Sequence, residues 1–196
     1  MASAEQHPGT TQRYRLCSRT ILLARKIHSD VARLLESYVE RQGLDETISL
    51  ESVDGVPRAA VEQGDELTAA EQLGANLQAY RAFRVLLCEV LEAQTAHLTP
   101  PDTDFHASIL SVLRQVEALA YQLEELLALL GHGGLVQEVA GPEPRGSRSL
   151  LEMKLRGLKV LQELAHWTVR SVRDLHQVAG HSPGSGATHG PRAPMD

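Results

Sequence analysis

Nine histidines and two cysteines are the side chains of this 196-residue chain whose types could hold a metal ion or attack an electrophile. Their spacing supports neither. No two histidines stand four apart on a helical stretch, there is no His-Glu-x-x-His, and Cys17 and Cys88 form no Cys-x-x-Cys pair. His28, His106 and His166 fall on helical stretches, where solvated or internally bonded rings are the common case. Cys17 lies near the start of a predicted helix and is a candidate low-pKa thiol, because helix N-termini favour thiolate. Cys88 sits within an apolar stripe region and reads as packing. Gly131-His132-Gly133-Gly134 lacks the lysine and the strand-to-helix context of a phosphate loop. The reading is a protein that is not an enzyme, with no catalytic residue, no metal site and no cofactor.

The remaining chemistry is recognition. Leu151, Leu155, Leu158, Leu161, Ala165, Val172 and Leu175 recur at helical spacing and form one stripe. At roughly 100° per residue, Trp167 points about 150° away from the centre of that stripe. Arg170 and Asp174 follow at three and seven residues and share its face. Three readings are open for a tryptophan there: surface chance, cover from a loop, or an anchor for a protein partner, since Trp and Arg dominate interface energetics.

Four helices must position these groups. The first, 13–42, carries Leu16, Thr20, Leu23, Ile27, Val31, Leu34 and Tyr38 at steps of three and four, and Gly43 stops it. The second, 68–98, opens on the capping box Thr68-x-x-Glu71 and ends before Pro100-Pro101. The third, 103–130, runs from Phe105 to Leu130 and breaks at Gly131. The fourth, 150–178, follows Ser149-x-x-Glu152, a second capping box. Residues 1–12 and 179–196 read as flexible tails around a single domain at 13–178. A helix of about 29 residues spans roughly 43 Å, and a connection returning along it needs at least about 13 extended residues. The first and third connections are long enough; the one around Thr99 and Asp102 is not. The expected fold is therefore all-α, a long-chain four-helix bundle with up-up-down-down topology and two long crossovers.

Composition narrows the partners. A net charge of −6 argues against a general nucleic-acid binder. The charge is uneven: residues 13–41 carry seven Lys and Arg against three Asp and Glu, while 43–66 carry one Arg against seven acids. No stretch is apolar and long enough for a transmembrane segment. The polar start and two free thiols imply a cytoplasmic protein without a signal peptide. From the residues alone, an intracellular helical adaptor or lipid-associated bundle with no receptor ranks beside an extracellular signalling ligand. A weak homodimer at high concentration is left open.

A resemblance separates these. Leu16-Cys17-Ser18-Arg19, Leu23-Ala24-Arg25-Lys26-Ile27, Glu36-Ser37-Tyr38-Val39, Gln42-Gly43-Leu44, Val53-Asp54-Gly55-Val56-Pro57, Asn76-Leu77-Gln78-Ala79-Tyr80-Arg81, Lys154-Leu155-Arg156-Gly157-Leu158 and Trp167-Thr168-Val169-Arg170-Ser171 resemble the interleukin-6-type four-helix cytokines, over about residues 13–175. The resemblance implies a neurotrophic ligand that assembles a specific alpha receptor, the leukaemia-inhibitory-factor receptor and a shared signal-transducing chain, and so drives Janus-kinase and STAT signalling. It implies an alpha-receptor surface of Arg25, His28, Gln63, Gly64, Trp167, Arg170 and Asp174, and a leukaemia-inhibitory-factor-receptor surface of Leu151 and Lys154. The shared chain would meet exposed faces of the first and third helices. His28 stands where the family has arginine, Gly64 where it has tryptophan, and Leu151 where its Phe-x-x-Lys motif has phenylalanine. Leu151 also fits the start of the core stripe. The resemblance further implies accumulation in the cytoplasm and action outside the cell after unconventional release.

Overall fold

Pro8 opens the first helix, as proline can, because the first-turn N–H it lacks has no intrahelical partner anyway. In the computed structural model, which describes residues 8–45, 53, 55–59, 67–134 and 146–180, this helix, α1, runs Pro8–Gln42. It starts well ahead of Arg13 and ends at Gly43, whose φ of 63° is the left-handed turn that suits glycine. Thr68 caps α2 (Ala69–Ala93) with both halves of a capping box: Glu71 N–H donates to Thr68 Oγ1 at 3.2 Å, and Thr68 N–H to Glu71 Oε2 at 2.8 Å. One π-helical turn, Gln94–Leu98, extends it. Asp102 caps α3 (Thr103–Leu129) by accepting from Phe105 N–H. Ser149 Oγ accepts from Glu152 N–H at the start of α4 (Leu150–Gly180). Among the described residues there is no strand, and no helix is long and apolar enough to cross a membrane.

Pairs between helices fix their directions. Along α1 and α4, Arg13 Nε donates to Val178 O (3.0 Å), His28 lies against Thr168, and Tyr38 Oη donates to Lys154 O (2.7 Å). The numbers rise on one helix as they fall on the other, so the two are antiparallel. The same holds for α1 with α3 (Arg19–Glu125, Asp30–Gln115, Arg41–Asp102). It also holds for α2 with α4 (Gln72–Gln177, Asn76–Asp174, Glu89–Arg156). Helices α1 and α2 are thus parallel to each other, and their ends meet where Gln42 Nε2 donates to Gln94 Oε1 at 2.9 Å. The bundle is up-up-down-down, as the connection lengths require.

Leucine and isoleucine fill the centre: Ile27, Leu34, Leu73, Leu77, Leu87, Ile109, Leu119, Leu123, Leu126, Leu161 and Leu164 are buried, with Tyr38, Tyr80, Phe83 and Phe105 among them. Helices α1 and α4 approach closely because Gly157 leaves room for the Tyr38 ring; a Cβ there would overlap the phenol oxygen. Burial holds the Tyr38 and Tyr80 phenols above their ordinary pKa, so both stay protonated donors. Two cysteine expectations are corrected. Cys17 lies more than two turns into α1 and is fully buried, and desolvation raises its pKa against a smaller lowering by Arg13. Cys88 is exposed, because Leu87 rather than its neighbour faces the core.

Candidate functional site

Trp167 is not on the outside. It is only 4 % exposed, because residues 55–59 lie across it. The indole Nε1–H donates to Pro57 O at 3.2 Å, and the Arg170 guanidinium covers the ring with Cζ 4.4 Å from its centroid. Two neighbours complete the grip. Val56 is buried in the core, and Ala59 N–H donates to Glu163 Oε2 at 3.2 Å, one turn before Trp167. Glu163 also holds Lys159 at 3.1 Å. The outward orientation that surface chance and a partner anchor both assume is corrected, and cover from a loop is what the fold supplies. The physical reason is that an indole buries a large apolar area, and a short strap across one helix face can provide it.

Asp174 is also internal, 1 % exposed. It accepts from Asn76 Nδ2 (2.9 Å), Arg173 Nη2 (3.2 Å) and Arg170 Nε (3.4 Å). Ser171 Oγ donates to Asn76 Oδ1 and accepts from Tyr80 Oη. This is a satisfied polar seam between α2 and α4. Removing one neutral member would leave another buried polar group without its partner, which typically costs about 1–3 kcal/mol. Arg170 therefore links the two features: it covers the Trp167 ring and pairs with Asp174.

Arg25 and His28 stand on α1 where it meets α4, and both are exposed. His28 Nδ1 lies 3.0 Å from Thr168 Oγ1 and 3.3 Å from Ala165 O, while Arg25 Nη2 lies 3.5 Å from His176 Nε2. This group is separate from the Trp167 side: α4 turns Thr168 to α1, and Trp167 and Asp174 toward the strap and α2. Gln63 and Gly64 lie outside the described residues.

At the other end, Leu151 is 59 % exposed. The alternative that it opens the core stripe is corrected: Leu150 and Leu151 are both exposed, and full burial on α4 begins at Gly157 and Leu158. Lys154 is engaged. Its Nζ donates to Gln42 O at 3.1 Å, placing a cation on the negative end of α1. Gln42, Gln94, Thr99 and His106 continue from there as a chain of side-chain contacts at 2.8–3.2 Å.

Sequence reasoning gave no site role to Val56, Pro57, Glu163 and Asn76, although three of them lie in segments that carry the resemblance. A signal for the strap was present: Val56-Pro57 is an apolar pair inside a run of acids, the pattern of a hydrophobic plug. Nothing in the helical pattern marks Asn76 as Asp174's partner, since that pairing joins two helices.

Similarity to known proteins bears on this arrangement. A family model described as ciliary neurotrophic factor matches residues 1–193. The chain is 54 % identical over 185 residues to the ciliary neurotrophic factor of Sus scrofa, covering 94 % of this chain and 92 % of that one. It is 53 % identical over 188 residues to that of Mus musculus (95 % of each) and 52 % identical over 185 residues to that of Homo sapiens (94 % and 92 %). The expected cytoplasmic location is corrected by these matches: the relatives are cytokines that act outside cells. The polar start on which that expectation rested says nothing about where a signalling protein acts.

Proposed function

The chain belongs to the ciliary neurotrophic factor family and is a neurotrophic cytokine, and from that premise we propose that it works by bringing three receptor chains together: the ciliary neurotrophic factor alpha receptor, the leukaemia-inhibitory-factor receptor and the shared signal-transducing chain. Janus-kinase and STAT signalling follows, and with it neuronal survival and differentiation. The observation that carries the reading is the match across nearly the whole chain: the family model covers residues 1–193, and the Sus scrofa relative is 54 % identical over 185 residues. The protein supplies geometry: a rigid bundle holds separate surfaces at fixed angles.

On this reading the alpha receptor meets α1 and α4, through Arg25, His28, Trp167, Arg170 and Asp174, with Gln63 and Gly64 contributing from the connection between α1 and α2. Burial divides their roles. Arg25 and His28 offer contact directly. Trp167 and Asp174 act from beneath, one pinning the strap and the other tying α4 to α2. The leukaemia-inhibitory-factor receptor meets the start of α4, where exposed Leu151 is the contact and Lys154 sets the turn against α1. The shared chain takes the exposed faces of α1 and α3.

Added recombinant protein should raise STAT phosphorylation in cells that carry all three chains and much less in matched cells lacking the alpha receptor. Equal responses in both would remove the alpha receptor from the reading. No response in either would remove receptor assembly altogether.

A further inference from the structure

A buried pair of amides joins the helix ends where α4 begins. Along α2 the core stripe runs Phe83, Leu87 and Val90, and its next position is Gln94, which is fully buried. A leucine there would continue the stripe with no polar atom to satisfy. Instead Gln94 Oε1 accepts from Gln42 Nε2 of α1 at 2.9 Å and from Thr99 Oγ1 at 2.8 Å. The π-helical turn brings the second donor round: Thr99 N–H donates to Gln94 O, five residues back, at 2.9 Å. Thr99 Oγ1 also lies 3.2 Å from His106 Nε2 on α3. Among the described residues, Gln94 Nε2 is buried and meets no acceptor. A donor left in that state costs stability that an apolar side chain would not. A polar side chain at a core position can fix the register of packed helices at such a cost.

The pair leads to α4. Gln42 is the last residue of α1, and its carbonyl accepts from Lys154 Nζ at 3.1 Å. The carbonyl of Lys154 accepts in turn from Tyr38 Oη at 2.7 Å. Lys154 is thus tied to α1 through both its side chain and its backbone. One turn earlier Leu150 and Leu151 are exposed, so the direction they face follows the turn that Lys154 holds. We propose that Gln42 and Gln94 are positioning residues for the surface at the start of α4: the amide pair fixes the end of α1, α1 fixes Lys154, and Lys154 sets how Leu151 is presented. The proposal rests on the reading that this surface meets the leukaemia-inhibitory-factor receptor, and adds the interior residues that set it.

The test compares the full chain with Gln42→Leu/Gln94→Leu, which removes both partners and strands neither amide, and with Gln94→Leu, which strands Gln42 Nε2. The double variant should keep the urea midpoint and the affinity for immobilised alpha-receptor ectodomain. By surface plasmon resonance it should lose about fivefold in affinity for the leukaemia-inhibitory-factor-receptor ectodomain, the usual weight of a lost hydrogen bond. Hydrogen exchange at amides 153–156 should quicken. The single variant should show the same receptor loss with a lower urea midpoint. Unchanged affinity in the double variant would overturn the proposal. Equal losses at both receptors would overturn it too, since a general fault in the fold acts on every surface. In a Lys154→Met background the leucine pair should quicken exchange at 153–156 no further; additive effects would mean that the pair does not act through Lys154. Failure of the wild type to bind the leukaemia-inhibitory-factor-receptor ectodomain would overturn the receptor reading itself, while hydrogen exchange would still report whether the amide pair sets the turn.

Discussion

Trp167 shows how a residue type suited to an interface can be spent inside the molecule. Its ring fills the space under residues 55–59 and its N–H satisfies the Pro57 carbonyl, so the strap and the helix are joined at one point. Trp167→Phe keeps most of the apolar volume and removes the donor. Amide hydrogen exchange at Val56 and Ala59 should then quicken, while α4 amides keep their protection. Trp167→Ala leaves a cavity as well and should cost about 3–5 kcal/mol of stability in chemical unfolding. If Trp167→Ala left stability unchanged and only weakened receptor binding, the ring would be an exposed anchor after all. The same sorting applies to its neighbours. Asp174 and Lys154 are bonded within the bundle, and Leu151, Arg25 and His28 reach solvent.

Packing between elements turns on one glycine. Tyr38 crosses from α1 to α4 and donates to Lys154 O, which requires an empty position at Gly157. In an isolated helix Gly→Ala gains about 1 kcal/mol. Here the added Cβ meets the phenol, and Gly157→Ala should destabilise by about 2 kcal/mol, the usual cost of overpacking. In a Tyr38→Phe background the hydroxyl is gone, and the cost of Gly157→Ala should be smaller. Urea unfolding of the four proteins measures this coupling. Additive effects would mean that the two residues do not meet. Helical periodicity made both stretches legible as elements. The meeting of position 38 with position 157 was not legible, because it depends on the register of one helix against another.

For the whole bundle, acid is the informative perturbation. Asp102 is held below the ordinary carboxylate pKa chiefly by its hydrogen bond from Arg41 on α1 (2.6 Å), with Phe105 N–H adding to it. Asp30 on α1 is lowered by hydrogen bonds from Lys26 and from Gln115 on α3. A carboxylate whose folded pKa is depressed contributes stability that is fully present above its unfolded value. That stability is lost as pH falls through the folded value. These ties between α1 and α3 should therefore act undiminished from pH 7 to 5 and weaken below about pH 4, near the unfolded carboxylate value. Urea midpoints measured from pH 5 to 3 should fall less steeply for Asp102→Asn than for the wild type. Parallel slopes would show that Asp102 carries none of the acid sensitivity.

Local information in the chain was enough for the helices, their caps and their order. Periodicity, capping boxes and stop residues act within a few positions, and connection lengths bound which helices can run parallel. The segments shared with the cytokine family were likewise a property of the residues in order. Which face of α4 meets solvent was decided only in three dimensions. The stripe rule assigns Trp167 to the outside, since a helical wheel counts helix neighbours and cannot see a strap arriving from position 57 or an asparagine from position 76. Burial depends on every element packed around a residue. The assignment of outward residues to Arg25, His28 and Leu151, and of inward ones to Trp167 and Asp174, could come only from the tertiary structure.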